Sequence, residues 1–132
     1  MAPGRPGNEI HPAIAPAAED RVVAKADSDA FLGSDLRVEL ERLRVRTLFV
    51  CGLQSEFCVD ATCRSAHALG YRVILVEDAH STAPSGVLGA EQIVAHHNAT
   101  LGRAYVSLRR SDDLFVGSGA TSTRPDVRAK GV

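Results

Sequence analysis

Two periods of apolar residues alternate along this chain. Arg21 to Lys25 pairs valines and an alanine in an extended pattern, and the helical spacing that follows runs from Asp35 to Leu43 with Ser34 placed as its N-cap. Thr47 to Cys51 is a short β-rich run closed by Gly52. Val59, Thr62, Ala66 and Leu69 then repeat at helical intervals, which predicts a helix over Cys58 to Leu69 stopped by Gly70. A third strand is predicted over Tyr71 to Val76, a helix within Gly86 to Leu101 halted near Gly102, and a short last strand over Ala104 to Leu108. Strands and helices in this order predict right-handed βαβ crossovers and a parallel sheet covered on both faces, an α/β fold. Nothing repeats internally. Residues 117 to 132 have almost no apolar periodicity, so a folded domain over 1–116 and a disordered tail over 117–132 are expected.

Composition narrows the classes of function. With 132 residues, 45% of them hydrophobic, the chain is long enough to bury about two thirds of its unfolded surface. A formal net charge of −1 supplies no broad basic field, so nucleic acid and an anionic membrane are not expected partners. No charged-then-apolar leader and no long apolar run is visible, which makes a soluble cytoplasmic protein with reduced thiols the expectation.

The candidate chemistry lies where the Thr47–Cys51 strand passes through Gly52 into the next helix. Cys58 falls near the first turn of that helix, where free N–H groups and the positive end of the dipole favour thiolate over thiol and leave donors for a developing oxyanion. A buried, inert packing cysteine is the competing reading of the same residue. Cys51, Cys58 and Cys63 form no CxxC pair, and none is spaced with a histidine as zinc ligands are, so no metal site is expected. Cys51 and Cys63 read as packing residues. His96 and His97 are adjacent on a predicted helix, where their side chains diverge by about 100° and make poor joint ligands; a surface or structural role is expected, with a place for His97 at a subunit contact or pocket rim left open. Gly86 and Gly89 lack the strand-to-helix context of a nucleotide-binding loop, so no cofactor is expected.

Two blocks of sequence carry a resemblance. The run Gly52-Leu53-Gln54-Ser55-Glu56-Phe57-Cys58-Val59-Asp60-Ala61-Thr62, with Gly70-Tyr71 and Asp78-Ala79 after it, resembles the nucleophile region of the isochorismatase-like cysteine hydrolases. That superfamily includes nicotinamidases, N-carbamoyl-amino-acid hydrolases and isochorismatases. Upstream, His11-Pro12, Asp20-Arg21-Val22-Val23-Ala24-Lys25 and Ser28-Asp29-Ala30-Phe31 resemble the family's lysine strand and its following loop. The likeness covers roughly residues 4 to 108.

The resemblance implies a three-layer α/β/α sandwich and a triad of aspartate, lysine and cysteine, with Cys58 and Lys25 at two of the three positions. It also implies a non-proline cis peptide at Leu53-Gln54 and an oxyanion hole from the backbone N–H groups of Gln54 and Cys58. A lysine ammonium beside a thiol would favour the thiolate and steady the tetrahedral intermediate. The family aspartate lies on a first strand well upstream of the lysine. Here a Pro/Gly segment, Pro3-Gly4-Arg5-Pro6-Gly7, leaves no room for that strand, so the sandwich is expected to lack its first strands. Asp27 and Asp29 are conceivable substitutes, though turn-forming or solvated roles describe them more simply. Phe31 and Phe57 flank the triad positions and are candidates for an apolar substrate pocket, with core packing as the other reading.

The implied function is hydrolysis of a C–N bond in a small amide or related molecule through a thiolate, with a small-molecule substrate as partner. Relatives often self-associate, so a homo-oligomer is compatible with it. A catalytically impaired fragment acting through subunit association at a bare sheet edge is the competing class, and redox or sulfur-transfer chemistry at Cys58 is a third reading.

Overall fold

Leu48 and Val50 alternate with less buried neighbours, whereas Val73 to Val76 are buried in succession, and these two runs become the centre of the sheet. In a computed structural model that describes residues 10–114, β1 (Thr47–Leu53), β2 (Arg72–Ser81) and β3 (Ser107–Arg109) form a parallel sheet in the order β1-β2-β3. Pairing starts at Thr47 with Arg72 on one side of β2 and at Ile74 with Ser107 on the other. Three α-helices, α1 (Leu36–Arg42), α2 (Asp60–Ala68) and α3 (Ala90–Gly102), stand before or between the strands. Leu40 from α1, Cys63 and Ala66 from α2, Leu75 from β2 and Leu101 from α3 are fully buried in one cluster. Each such leucine contributes about 1.5–3 kcal/mol relative to exposure, so this cluster, rather than helix propensity, holds the short helices in place. The α/β class and the parallel sheet agree with the sequence reading.

Local chemistry ends these helices where the pattern predicts. Ser34 Oγ accepts the Leu36 N–H at 3.2 Å and donates to the Ala30 carbonyl, so it caps α1 one residue before its formal N-cap Asp35. Gly70, at φ +87°, lets α2 close with Gly70 N–H on the His67 carbonyl and Tyr71 N–H on that of Ala66. At α3 the Gly89 N–H donates to Gln92 Oε1 at 2.9 Å.

Three predicted elements differ. Arg21 to Lys25 is extended and keeps its alternation, with Val23 and Lys25 less exposed than Val22 and Ala24, but it joins no ladder. The segment and β1 line one groove, Arg21, Val23 and Lys25 from the first and Leu48, Val50, Cys51 and Leu53 from the second. β2 runs five residues beyond Val76, because its register slips: between Val50 and Gly52 of β1, β2 advances from Leu75 to His80 before pairing resumes. β3 starts at Ser107 rather than Ala104, because the N–H groups of Ala104, Tyr105 and Val106 all turn back to the Leu101 carbonyl. The expected tail, 117–132, lies outside the described residues. Among the described residues no helix is long and apolar enough to cross a membrane.

Candidate active site

Gly52 begins the site. Its φ of +121° is open only to glycine among the residues, and it sends β1 into a Leu53–Gln54 bond that is cis. The chain then coils as a π-helical turn, Ser55–Val59, which runs directly into α2. Cys58 therefore sits inside this turn rather than at the start of a regular α-helix. The Gln54 carbonyl accepts the N–H groups of Phe57 and Val59, each at 3.1 Å, and passes over the Cys58 N–H between them.

Lys25 Nζ lies 3.5 Å from Cys58 Sγ. The ammonium also donates to the Asp27 carbonyl at 2.6 Å and to the Ser28 carbonyl at 3.4 Å, so three acceptors fix its direction. The loop that follows Lys25 is tied to α2. The Ala30 N–H donates to Thr62 Oγ1 at 3.1 Å, Thr62 Oγ1 reaches the Ser28 carbonyl at 3.5 Å, and Ser65 Oγ donates to Asp29 Oδ2. Thus the helix that begins just after the cysteine also anchors the loop that carries the lysine.

Neither nearby aspartate offers its carboxylate to this pair in the contacts observed. Asp27 Oδ1 accepts the Asp29 N–H, and Asp29 spends one oxygen on the Phe31 N–H and the other on Ser65. Both are turn-forming, and Asp29 also braces the loop against α2.

The groove beside β1 opens onto the pair. Lys25 and Cys58 line it together with Phe31, Leu40, Val50 and Leu53, in a space of about 870 Å³ counted to its open mouth. Its walls are mainly apolar, as the walls of small-molecule sites are. Phe31 stacks on Tyr71 with centroids 5.8 Å apart and faces the groove. Phe57 is 54% exposed and does not line it, because the turn that aims Cys58 inward aims its neighbour outward. Cys51 also lines the groove, whereas Cys63 is buried in the core.

The far side of the turn is held by residues the periodicity did not single out. Ser55 Oγ lies 2.8 Å from His80 Nδ1, and His80 Nε2 lies 2.9 Å from Asn98 Oδ1. Thr82 Oγ1 donates to Glu56 Oε1 at 2.7 Å. Their signal was hidden by the register slip, which brings a histidine beyond the polar Glu77-Asp78 step back beside Gly52. His97, by contrast, turns Nδ1 to the Ile93 carbonyl and Nε2 toward Asp60, while its ring meets that of His96 edge to face with centroids 5.3 Å apart. Among the described residues no group of three or more His, Cys, Asp or Glu side chains is arranged to hold a metal ion.

Comparison with known proteins gives relatives of one kind. A streptothricin hydrolase of Streptomyces noursei is 44% identical over 81 residues, which is 61% of this chain and 29% of that protein. The uncharacterized isochorismatase family protein YddQ of Bacillus subtilis is 32% identical over 114 residues, 83% of this chain and 63% of its own length. The crystal structure of an N-carbamoylsarcosine amidase from Thermoplasma acidophilum superposes with a TM-score of 0.71 at 29% identity, over 83% of this chain and 58% of that one. This chain thus spans under two thirds of each of these relatives. A family model for the isochorismatase domain matches residues 1–102, and with most of its length inside that match the chain belongs to the isochorismatase family.

Proposed function

We propose that this chain carries the thiol site of a cysteine hydrolase acting on a C–N bond of a small amide or related molecule. The observation that carries the reading is the approach of Lys25 Nζ to Cys58 Sγ, 3.5 Å apart at the mouth of an apolar groove. An ammonium at that distance can meet the negative charge of a reacting sulfur. The thiolate sulfur would attack the carbonyl carbon, the C=O electron pair moving onto oxygen. The N–H groups of Gln54 and Cys58 are the proposed donors to that oxygen, and the Cys58 N–H is the one its local carbonyl passes over. Collapse would break the C–N bond, the nitrogen leaving as amine or ammonia with the proton that the Cys58 thiol had given up to solvent. Water would then attack the thioester carbon, release the acid and return the thiol. The hydrolase names among the relatives, a streptothricin hydrolase and an N-carbamoylsarcosine amidase, support C–N cleavage as the reaction class.

The test is ammonia release from a panel of carboxamides and N-carbamoyl compounds. Release that disappears in Cys58→Ala supports the reading, and release unchanged in that variant sinks it.

A second reading draws on β1, whose outer edge has no ladder partner among the described residues. Such an edge is open to pairing with another chain, which fits a non-catalytic subunit that acts by association. Light scattering discriminates: an oligomer whose mass falls when proline replaces Phe49, with Cys58→Ala leaving function intact, favours association.

A further inference from the structure

Three side chains from three elements meet behind the nucleophile turn. Ser55, which opens the turn, is wholly buried, and His80, from the part of β2 beyond the register slip, is 6% exposed. Asn98 comes from the middle of α3. The direction of the bonds between them follows from their chemistry. Asn98 Nδ2 is 3.0 Å from the Glu77 carbonyl, which only accepts, so the amide nitrogen faces Glu77 and Oδ1 faces His80. His80 Nε2 must then carry a hydrogen to donate to Oδ1, which in the neutral ring leaves Nδ1 bare. The Ser55 hydroxyl donates to that bare nitrogen at 2.8 Å. Donation runs one way, Ser55 to His80 to Asn98 to Glu77, and each buried polar group in it has a partner. Breaking it at His80 would strand a hydroxyl in a place without water.

We propose that His80, oriented by Asn98, is a positioning residue that fixes the turn bearing Cys58 by accepting from Ser55. Ladder pairing of Gly52 with His80 and of Leu53 with Ser81 holds the root of the turn, and beyond it Ser55 is buried while Phe57 is exposed. The second tether, Thr82 to Glu56, also leads back to the segment after the slip. The slip is therefore what brings His80 opposite Gly52, at the root of the turn. With Ser55 released, the turn could shift by the fraction of an ångström that separates a directed thiol from an undirected one, and Sγ would leave its place beside Lys25 Nζ. His80 would not touch substrate; it acts through Ser55.

The inference rests on Cys58 as the nucleophile proposed above, and it is tested by thiol reactivity so that the two can fail separately. Parent, His80→Leu, His80→Asn and Leu101→Ala are pulsed with iodoacetamide and Cys58 labelling is followed by peptide mapping, alongside thermal melts. The carboxamide oxygen of His80→Asn takes the place of Nδ1, and Leu101→Ala is a destabilised control that removes no polar partner of the serine. Expected is Cys58 labelling at least about tenfold slower in His80→Leu, and within about threefold of the parent in His80→Asn and in the control. Parent-like labelling in His80→Leu, slowing in His80→Asn equal to that in His80→Leu, or slowing in the control equal to that in His80→Leu, overturns the proposal.

Should His80→Leu fail to fold, nitrogen NMR of the parent decides. His80 is expected as the tautomer with Nε2 protonated and Nδ1 bare, and the opposite tautomer removes the proposed direction of the bonds. Loss of ammonia release with this labelling pattern intact would remove the hydrolase reading and leave the positioning role standing.

Discussion

Cys63 lies fully buried on α2, and its thiol is pushed up to about 12, by burial first and by neighbouring Asp60 second. At neutral pH it holds its proton and is hidden from reagents. Cys58 is partly accessible at the groove and faces an ammonium. A short iodoacetamide pulse at about pH 6.5 should therefore label Cys58 ahead of Cys51, with Cys63 last. Peptide mapping reads the order; equal labelling of all three in the folded protein would remove the case for an activated thiol. Lys25→Met should slow Cys58 labelling, since the variant removes the ammonium that lies 3.5 Å from Sγ. Parent-rate labelling in that variant would show that the cation is a bystander.

At the level of elements, the loop after Lys25 depends on α2 for its place. Thr62→Val keeps the volume but removes the acceptor of the Ala30 N–H. It should cost about 1–3 kcal/mol in a denaturant melt and slow Cys58 labelling as well, whereas a stability loss without slowing would mean Lys25 is held by its own loop. A different clasp responds to acid. The Ser111 N–H, above all, holds the Asp78 carboxyl below its usual range, opposed by desolvation and helped by the Ser111 hydroxyl and Arg110. A depressed folded-state pKa means that its stabilisation is complete above the unfolded-state value and is lost as pH falls through the folded one. Hydrogen exchange at the Ser111 amide should accelerate over that acid range beyond its intrinsic pH dependence, and Asp78→Asn should abolish the extra change.

These elements also mark how far the sequence could be read. The cysteine turn and α2 were legible because Gly52, Gly70 and the helical spacing between them are local signals. Lys25 was legible only through likeness to a family, because a lone lysine in an extended run carries no signal of its partner. The clasp from His80 was illegible for a physical reason: two residues of β1 are matched by five of β2, and no periodicity anticipates a register slip. Phe57 misled because a π-helical turn rotates neighbours differently from the α-helix assumed for it.

For the whole molecule, the groups around the groove bear on turnover. Asp27 and Asp29 are engaged in turns, so neither is placed to take the thiol proton and hand it to the leaving nitrogen. Acid–base help of that kind is worth about 10²–10⁴ in rate. Ammonia release is therefore expected to stay within about tenfold of the parent in Asp27→Asn, and a fall of about 10²–10⁴ there would make Asp27 the proton carrier.

The tie between the Lys25 loop and α2 has a consequence for synthesis. Lysine and its loop leave the ribosome first, yet the hydroxyls that hold them, Thr62 and Ser65, follow more than thirty residues later. The cation waits unplaced while α1 and β1 emerge, and only when α2 has coiled does the nascent chain acquire both partners, since that one helix carries the anchor and starts at the cysteine turn. Emergence of α2 should therefore assemble the pair in a single step, so that ribosome-bound chains stalled before Ser65 would expose a thiol still without its neighbour.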